Sequence, residues 1–214
     1  MHGIALAQDL NKGFTSNGTD GTVTVFDLAT LKTRGTIATA AKNPDGIAYD
    51  PVTKRVFTFN GSGNDATVID AQTDRVVATI PPGGRPAMDE AHRRLFTACQ
   101  GEMGIVDADS GKVIATVPTG AGTDATRFDA NTGFAFASNG RSATLTVVHE
   151  DDPDRFSVAQ NAQTVAGART MALDSASGNV FLVTAKLIEN QNATSYRDRY
   201  KAVPGTFELL VVSP

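Results

Sequence analysis

RVVATIP, residues 75–81, returns as KVIATVP at residues 112–118 and more loosely as TRGTIAT at residues 33–39. Working outward from each copy, the neighbours recur too. A VxVxD-like run precedes it, ending at Asp27, Asp70 and Asp107. Before that stands an aromatic-x-x-Asn-Gly-like run: GFTSNG ending at Gly18, VFTFNG at Gly61, LFTACQG at Gly101 and FAFASNG at Gly140. Self-similarity at a period of about 40 residues marks a repeat architecture. Each unit holds four short apolar-alternating runs separated by Gly, Asn and Asp, which reads as four strands and not as a helix pair. A four-stranded unit of that length is a propeller blade. The expected fold is therefore all-β, a single β-propeller domain of five antiparallel blades over residues 3–43, 46–81, 87–118, 123–165 and 168–214.

The copies are unequal. The second is the cleanest, with GIAYD, RVFTFN, ATVID and RVVATI in order. In the third the first strand is expected to be cut to little more than AMD. The fifth opens with TMALDSA and NVFLVTA, departs into a polar insert at residues 186–205, and closes on FELLVVS without an outer strand. That insert, containing ENQNATSYRDRY, has little apolar content with which to bury itself and is expected to be mobile or ordered by a partner. FELLVVS is then an unpaired apolar edge, a template for another chain.

Composition sets limits. The chain has 214 residues and one cysteine, Cys99, so no internal disulfide framework is available and the fold must stand on packing and ladder hydrogen bonds. No apolar run reaches the roughly 18 residues of a membrane span, and no signal peptide opens the sequence. A formal net charge of -4 argues against binding polyanions through the global field, though a local basic patch remains compatible with it.

These residues resemble the YVTN-type (YncE-like) β-propeller repeat. The signals are TVTVFD with SNG before it, VIDAQTDRVVATIPPGG, VDADSGKVIATVPTG and the C-terminal ARTMALD…PGTFELLVV. The resemblance implies a bacterial protein whose longer relatives have seven blades and are exported to the periplasm or beyond. Against that pattern the chain begins at the second blade and drops about one blade between Pro86 and Ala87. Relatives with cell-surface roles and with DNA binding make an interaction protein the first expectation.

In a blade the chain runs down the inner strand A, up B, down C and up the outer D. D-to-A links and B-to-C loops therefore share one face, and the other two sets of turns share the opposite one. The first face collects Asp45, Arg85, Asp124 and Arg169 at the channel mouth, the Asn-Gly loops at Asn17, Asn60 and Asn139, and the insert with Tyr196, Arg197 and Arg199. Loops placed by a rigid scaffold are where binding residues concentrate, so these ten are the candidate ligand-binding residues. Each has a structural alternative: Asn-Gly is a strong hairpin-turn signal, and converging Asp and Arg also make ion-pair rings. The opposite face collects acids, among them Asp89, Glu90, Glu150, Asp151, Asp152 and Asp154. The 150–155 turn lacks the spacing of an EF-hand. His2, His92 and His149 show no paired spacing for zinc, so no metal is expected. Cys99 reads as a small buried hydrophobe. Walker, G-x-S-x-G, HExxH and dinucleotide motifs are absent from the sequence, and neither a cofactor nor a catalytic residue is expected.

The expected function is a non-catalytic scaffold gripping a protein, peptide, glycan or small polar ligand on the first face. A lyase or lactonase with a polar site at the channel mouth is the alternative. Weak single-stranded nucleic-acid binding through Arg197, Arg199 and Lys201 is a second, with Tyr196 and Tyr200 as the stacking pair. The expected state is either a marginal five-bladed monomer or a homo-oligomer that self-associates through the Phe207–Ser213 strand edge.

Overall fold

The structure is a computed structural model that describes every residue except 41, 64, 81–84, 100 and 195–198; the side chains of residues 85 and 99 also lie outside the description. Alternating apolar runs form strands, and the Asn, Asp and Gly between them form their turns. Blade 1 holds β1 (Ile4–Ala7), β2 (Lys12–Asn17), β3 (Thr22–Asp27) and β4 (Thr33–Ala38). Blade 2 holds β5 (Pro44–Asp50), β6 (Arg55–Asn60), β7 (Asp65–Asp70) and β8 (Arg75–Ile80). Blade 3 holds β9 (Arg85–Asp89), β10 (Arg94–Cys99), β11 (Glu102–Asp107) and β12 (Val113–Pro118). Blade 4 holds β13 (Thr123–Asp129), β14 (Phe134–Asn139), β15 (Thr144–Asp152) and β16 (Arg155–Gln163). Blade 5 has three strands, β17 (Thr170–Asp174), β18 (Asn179–Glu189) and β19 (Tyr200–Val212). All neighbours within a sheet are antiparallel and consecutive, as a meander requires.

The inner-strand turn repeats in detail. Asn11, Lys54, Arg93, Gly133 and Gly178 each stand one residue before the second strand of their blade and each has positive φ, between 52° and 72°. Three of them are not glycine, a conformation that costs roughly 1 kcal/mol, so the turn is imposed by the pairing on either side of it.

Four apolar cores glue the blades in sequence. Val23, Val25 and Ile37 meet Val56 and Ile69; Phe57, Phe59 and Ile80 meet Leu95 and Val106; Phe96, Met103 and Ile105 meet Ala135 and Val148; Phe136 and Leu145 meet Met171, Val180 and Leu182. The inner strands follow the same order, β1 on β5, β5 on β9, β9 on β13 and β13 on β17. Among the described residues no core of this kind joins blade 5 to blade 1. Ile4 and Leu6 of β1 are accordingly exposed, as are Phe207, Leu209 and Val211 of β19.

Two expectations are corrected. The inner strand of the third blade is whole: β9 pairs with β10 from Arg94↔Asp89 to Ala98↔Arg85. Its Pro86 gives up no ladder bond, because an inner strand has a free edge on the channel. The insert is also structured in part, residues 186–189 and 200–205 being strand. It lengthens the β18–β19 hairpin, with Leu187↔Ala202, Ile188↔Lys201 and Glu189↔Tyr200 in register. Ladder hydrogen bonds carry it and not burial, since Leu187, Ile188 and Tyr200 are each about half exposed.

Candidate functional site

At the channel mouth the links are held by the preceding blade. The Ser16 hydroxyl donates to the carbonyl of Asp45, and Ser138 donates to the carbonyl of Arg169 from the equivalent place three blades on. Asp45 lies 3.1 Å from His2 Nδ1. Gly140 sits so close under Arg169 that a Cβ there would come within 2.9 Å of the arginine Cβ, which fixes the direction of that exposed side chain. Asp124 is half-buried as the second residue of β13. Arg85 begins β9 by its backbone, and its side chain lies outside the described atoms. Tyr196 and Arg197 lie outside the described residues. Arg199 sits 3.5 Å from Glu189 and stacks its guanidinium 5.6 Å from the Tyr200 ring, so part of that basic cluster is already engaged within the hairpin.

The three asparagines turn inward. Each ends the second strand of its blade and reaches across to the third. Asn17 Nδ2 donates to Thr22 and Thr24, Asn60 Nδ2 to Asp65 and Thr67, and Asn139 Nδ2 to Thr144 and Thr146. Asn60 and Asn139 are fully buried. These amides are spent within the blade, which leaves them little to offer a ligand.

The opposite face has its own repeated device. Asp50, Asp89, Asp129 and Asp174 end the inner strands, and each accepts the backbone N–H two residues on. In three of the four, a hydroxyl three residues on completes the carboxylate: Thr53, Thr132 and Ser177. Cations then tie blade to blade. Lys12, itself buried, donates to the carbonyls of Ala71 and Gln72 and to Asp74 at 2.8 Å. Arg94 donates to the Pro153 carbonyl and to Asp154 at 2.7 Å, so the acidic 150–155 turn is latched to blade 3. Arg93 bridges the fully buried Asp50 at 2.6 Å and Asp109 at 2.8 Å. Burial pushes the Asp50 carboxyl up, but the hydrogen bonds from Arg93, Thr53 and Val52 outweigh it and leave it below the ordinary range.

Blade 3 departs from this scheme. His92 stands where the other turns have Thr or Ser, and its Nδ1 lies 2.7 Å from Asp89 Oδ2 and 3.0 Å from Glu150 Oε1. The sequence reading left the histidines without a metal constellation, because Glu150 comes from the next blade and no local spacing links it to His92. Only a blade-by-blade comparison of turns finds the cluster. Glu150 is buried, and burial together with the neighbouring Asp89 charge raises its carboxyl above the ordinary value, against the lowering effect of His92.

Blade 5 presents a different surface. Among the described residues β19 has a partner, β18, on one side alone. Leu209 pairs with Val183 as Val23 pairs with Ser16, Ala66 with Phe59, Met103 with Ala98 and Leu145 with Ser138. In those four blades this residue is fully buried against the blade that follows; Leu209 is 57% exposed. Beside β19, between blades 4 and 5, lies an apolar cleft of about 350 Å³ lined by Phe136, Leu145, Val147, Val180 and Val212.

Five antiparallel blades arranged in this order define the class: a β-propeller. No protein-family model matches the chain and no curated protein matches it. Solved structures do. One described as Kuenenia stuttgartiensis Hydrazine Synthase aligns with a TM-score of 0.74 at 17% identity, over 98% of this chain and 62% of that one. One described as Crystal Structure of Mitotic Checkpoint Complex aligns with a TM-score of 0.75 at 11% identity, over 99% of this chain and 61% of that one. At such identities the likeness is one of fold. The chain spans about three fifths of the length of either.

Proposed function

We propose that this protein is a non-catalytic interaction scaffold that takes a β-strand of a partner polypeptide alongside β19, in the outer-strand position that the other four blades fill for themselves. The observation that supports it is the edge of β19, which among the described residues is paired on one side alone, with Leu209 exposed beside it. Strand addition supplies affinity through main-chain hydrogen bonds and specificity through alternate side chains. The chain states what such a strand looks like. Outer strands β4, β8 and β12 each bury one residue near their end, Ile37, Ile80 or Val117, opposite Val23, Ala66 or Met103. The incoming strand would place its own aliphatic residue opposite Leu209, on the face of blade 5 turned away from blade 4. The repeats' resemblance to YVTN-type propellers agrees with an interaction role. Less supports a ligand at the channel mouth, where serines hold the links and the asparagines are engaged within the blade.

The test uses a fluorescent RVVATIP peptide, the chain's own outer-strand sequence, titrated with the protein and read by anisotropy, alongside sedimentation velocity. Saturable binding is expected, lost with a scrambled peptide and with Leu209→Lys, a change at an exposed position that leaves the fold intact. A concentration-dependent dimer broken by Leu209→Lys would identify the partner strand as a second copy of this chain. A monomer that ignores the peptide at millimolar concentration overturns the reading.

A further inference from the structure

We propose that Asp89, His92 and Glu150 form a binding site for one divalent transition-metal ion that accepts nitrogen and oxygen ligands, such as Zn²⁺ or Mn²⁺, between blades 3 and 4. The site is independent of the strand-binding surface on blade 5. One ligand atom from each residue lies within 4.8 Å of the others. Ligands shared by an ion with bonds near 2.1 Å stand about 3 to 4 Å apart, so the present spacings need only a small opening.

The repeat makes the cluster conspicuous. At the neighbouring interface the carboxylate at this point of the turn, Asp50, faces a guanidinium, Arg93. Asp89, its equivalent one blade on, faces a second carboxylate. The Glu150 position is also wrong for the repeat. Its amide donates to the Gly133 carbonyl as Ala71 donates to Lys54 and Ala108 to Arg93, and both those alanines are buried small apolar residues. Two departures from the repeat, His for Thr or Ser and Glu for Ala, thus meet at one point.

Glu150 has a second peculiarity. Its side chain is only 4% exposed, yet neither carboxylate oxygen has a hydrogen-bond donor of good geometry among the described residues. An acid packed beside another acid in that condition demands a cation. The His92 side chain is 49% exposed, which leaves one side of the cluster open to water. Three protein ligands with a solvent-facing position suit a borderline ion better than Ca²⁺, which takes more oxygens and no imidazole.

The experiment is isothermal titration of chelator-stripped protein with ZnCl₂ and with MnCl₂ at pH 7.5, paired with thermal melts in EDTA and in metal. The variants return each residue to its repeat consensus: Glu150→Ala and His92→Thr. Wild type should take up one ion per chain and melt higher in metal than in EDTA. Both variants should melt in EDTA at or above wild type, showing the fold intact, while binding falls at least about 100-fold. The proposal is overturned if wild type shows no stoichiometric uptake of either ion, or if either variant binds as wild type does.

Discussion

Asn139→Ala separates a structural asparagine from a ligand-binding one. The side chain is completely buried; Nδ2 donates to Thr146 Oγ1 at 2.9 Å and to Thr144 Oγ1 at 3.2 Å, and Oδ1 accepts from Thr123 Oγ1 at 2.6 Å. Three hydrogen bonds at about 1 kcal/mol net give an upper figure of about 3 kcal/mol. The partners limit the damage. Thr146 still donates to Asn161 and accepts from the Gly120 amide, while Thr123 keeps the Gly120 carbonyl. A loss of about 2 to 3 kcal/mol is therefore expected, a fall in melting temperature of about 5 to 10 °C for a domain of this size. Asn60→Ala should cost less, since Asn60 makes two such bonds and its buried Oδ1 has no donor among the described residues, Pro44 standing where blade 4 has Thr123. Urea unfolding at pH 7 measures both. A change below about 0.5 kcal/mol for Asn139→Ala would refute the reasoning, because that is the range of an uninvolved surface residue.

Arg93→Met strands the buried Asp50 carboxylate and should destabilise by about 3 kcal/mol at pH 7, with the deficit shrinking as the pH is lowered and Asp50 protonates. In EDTA, Glu150→Gln should stabilise the protein at pH 8 and do so less at pH 5: a carboxyl raised in the folded state favours folding below its ordinary value, and that contribution is lost as pH rises through the raised one. Asp27 runs the other way. Arg34 and the Thr30 amide hold it at about 2, so its contribution is present above the ordinary carboxylate value and lost as pH falls towards 2; Arg34→Ala should move acid unfolding to higher pH. Gly13→Ala would drive a methyl into the Phe26 ring, 2.1 Å from its tip, and should lower the melting temperature; the double change with Phe26→Ala should restore much of it.

The propeller is legible because its information is local: period-two alternation, turn residues and a repeat in register. What escaped is non-local or covalently silent. Pro86 and Arg85 make RPAMD look unlike a strand, yet an inner strand with one free edge accepts proline. ENQNATS reads as unstructured by hydropathy, while the hairpin on either side needs only backbone hydrogen bonds. The asparagines read as turn formers, though the spacing Asn17…Thr22…Thr24, repeated at Asn139…Thr144…Thr146, already writes the cross-strand bonds into the sequence. The cluster of Asp89, His92 and Glu150 is visible only after blades 3 and 4 are set against the others turn by turn. Arg199 is the one described residue of the insert's basic cluster whose engagement with Glu189 and Tyr200 no motif foretells.

The vacant outer-strand position of blade 5 is tested most directly by hydrogen exchange resolved to single amides along β19. In the other blades the third strand is paired on both sides; β19 is paired on one, so alternate amides between Phe207 and Val212 should exchange rapidly in the free protein. Saturating RVVATIP peptide should slow those same amides, leaving β7 and β11 unchanged. Uniform protection along β19 in the free monomer, or no change on adding the peptide, would contradict the account.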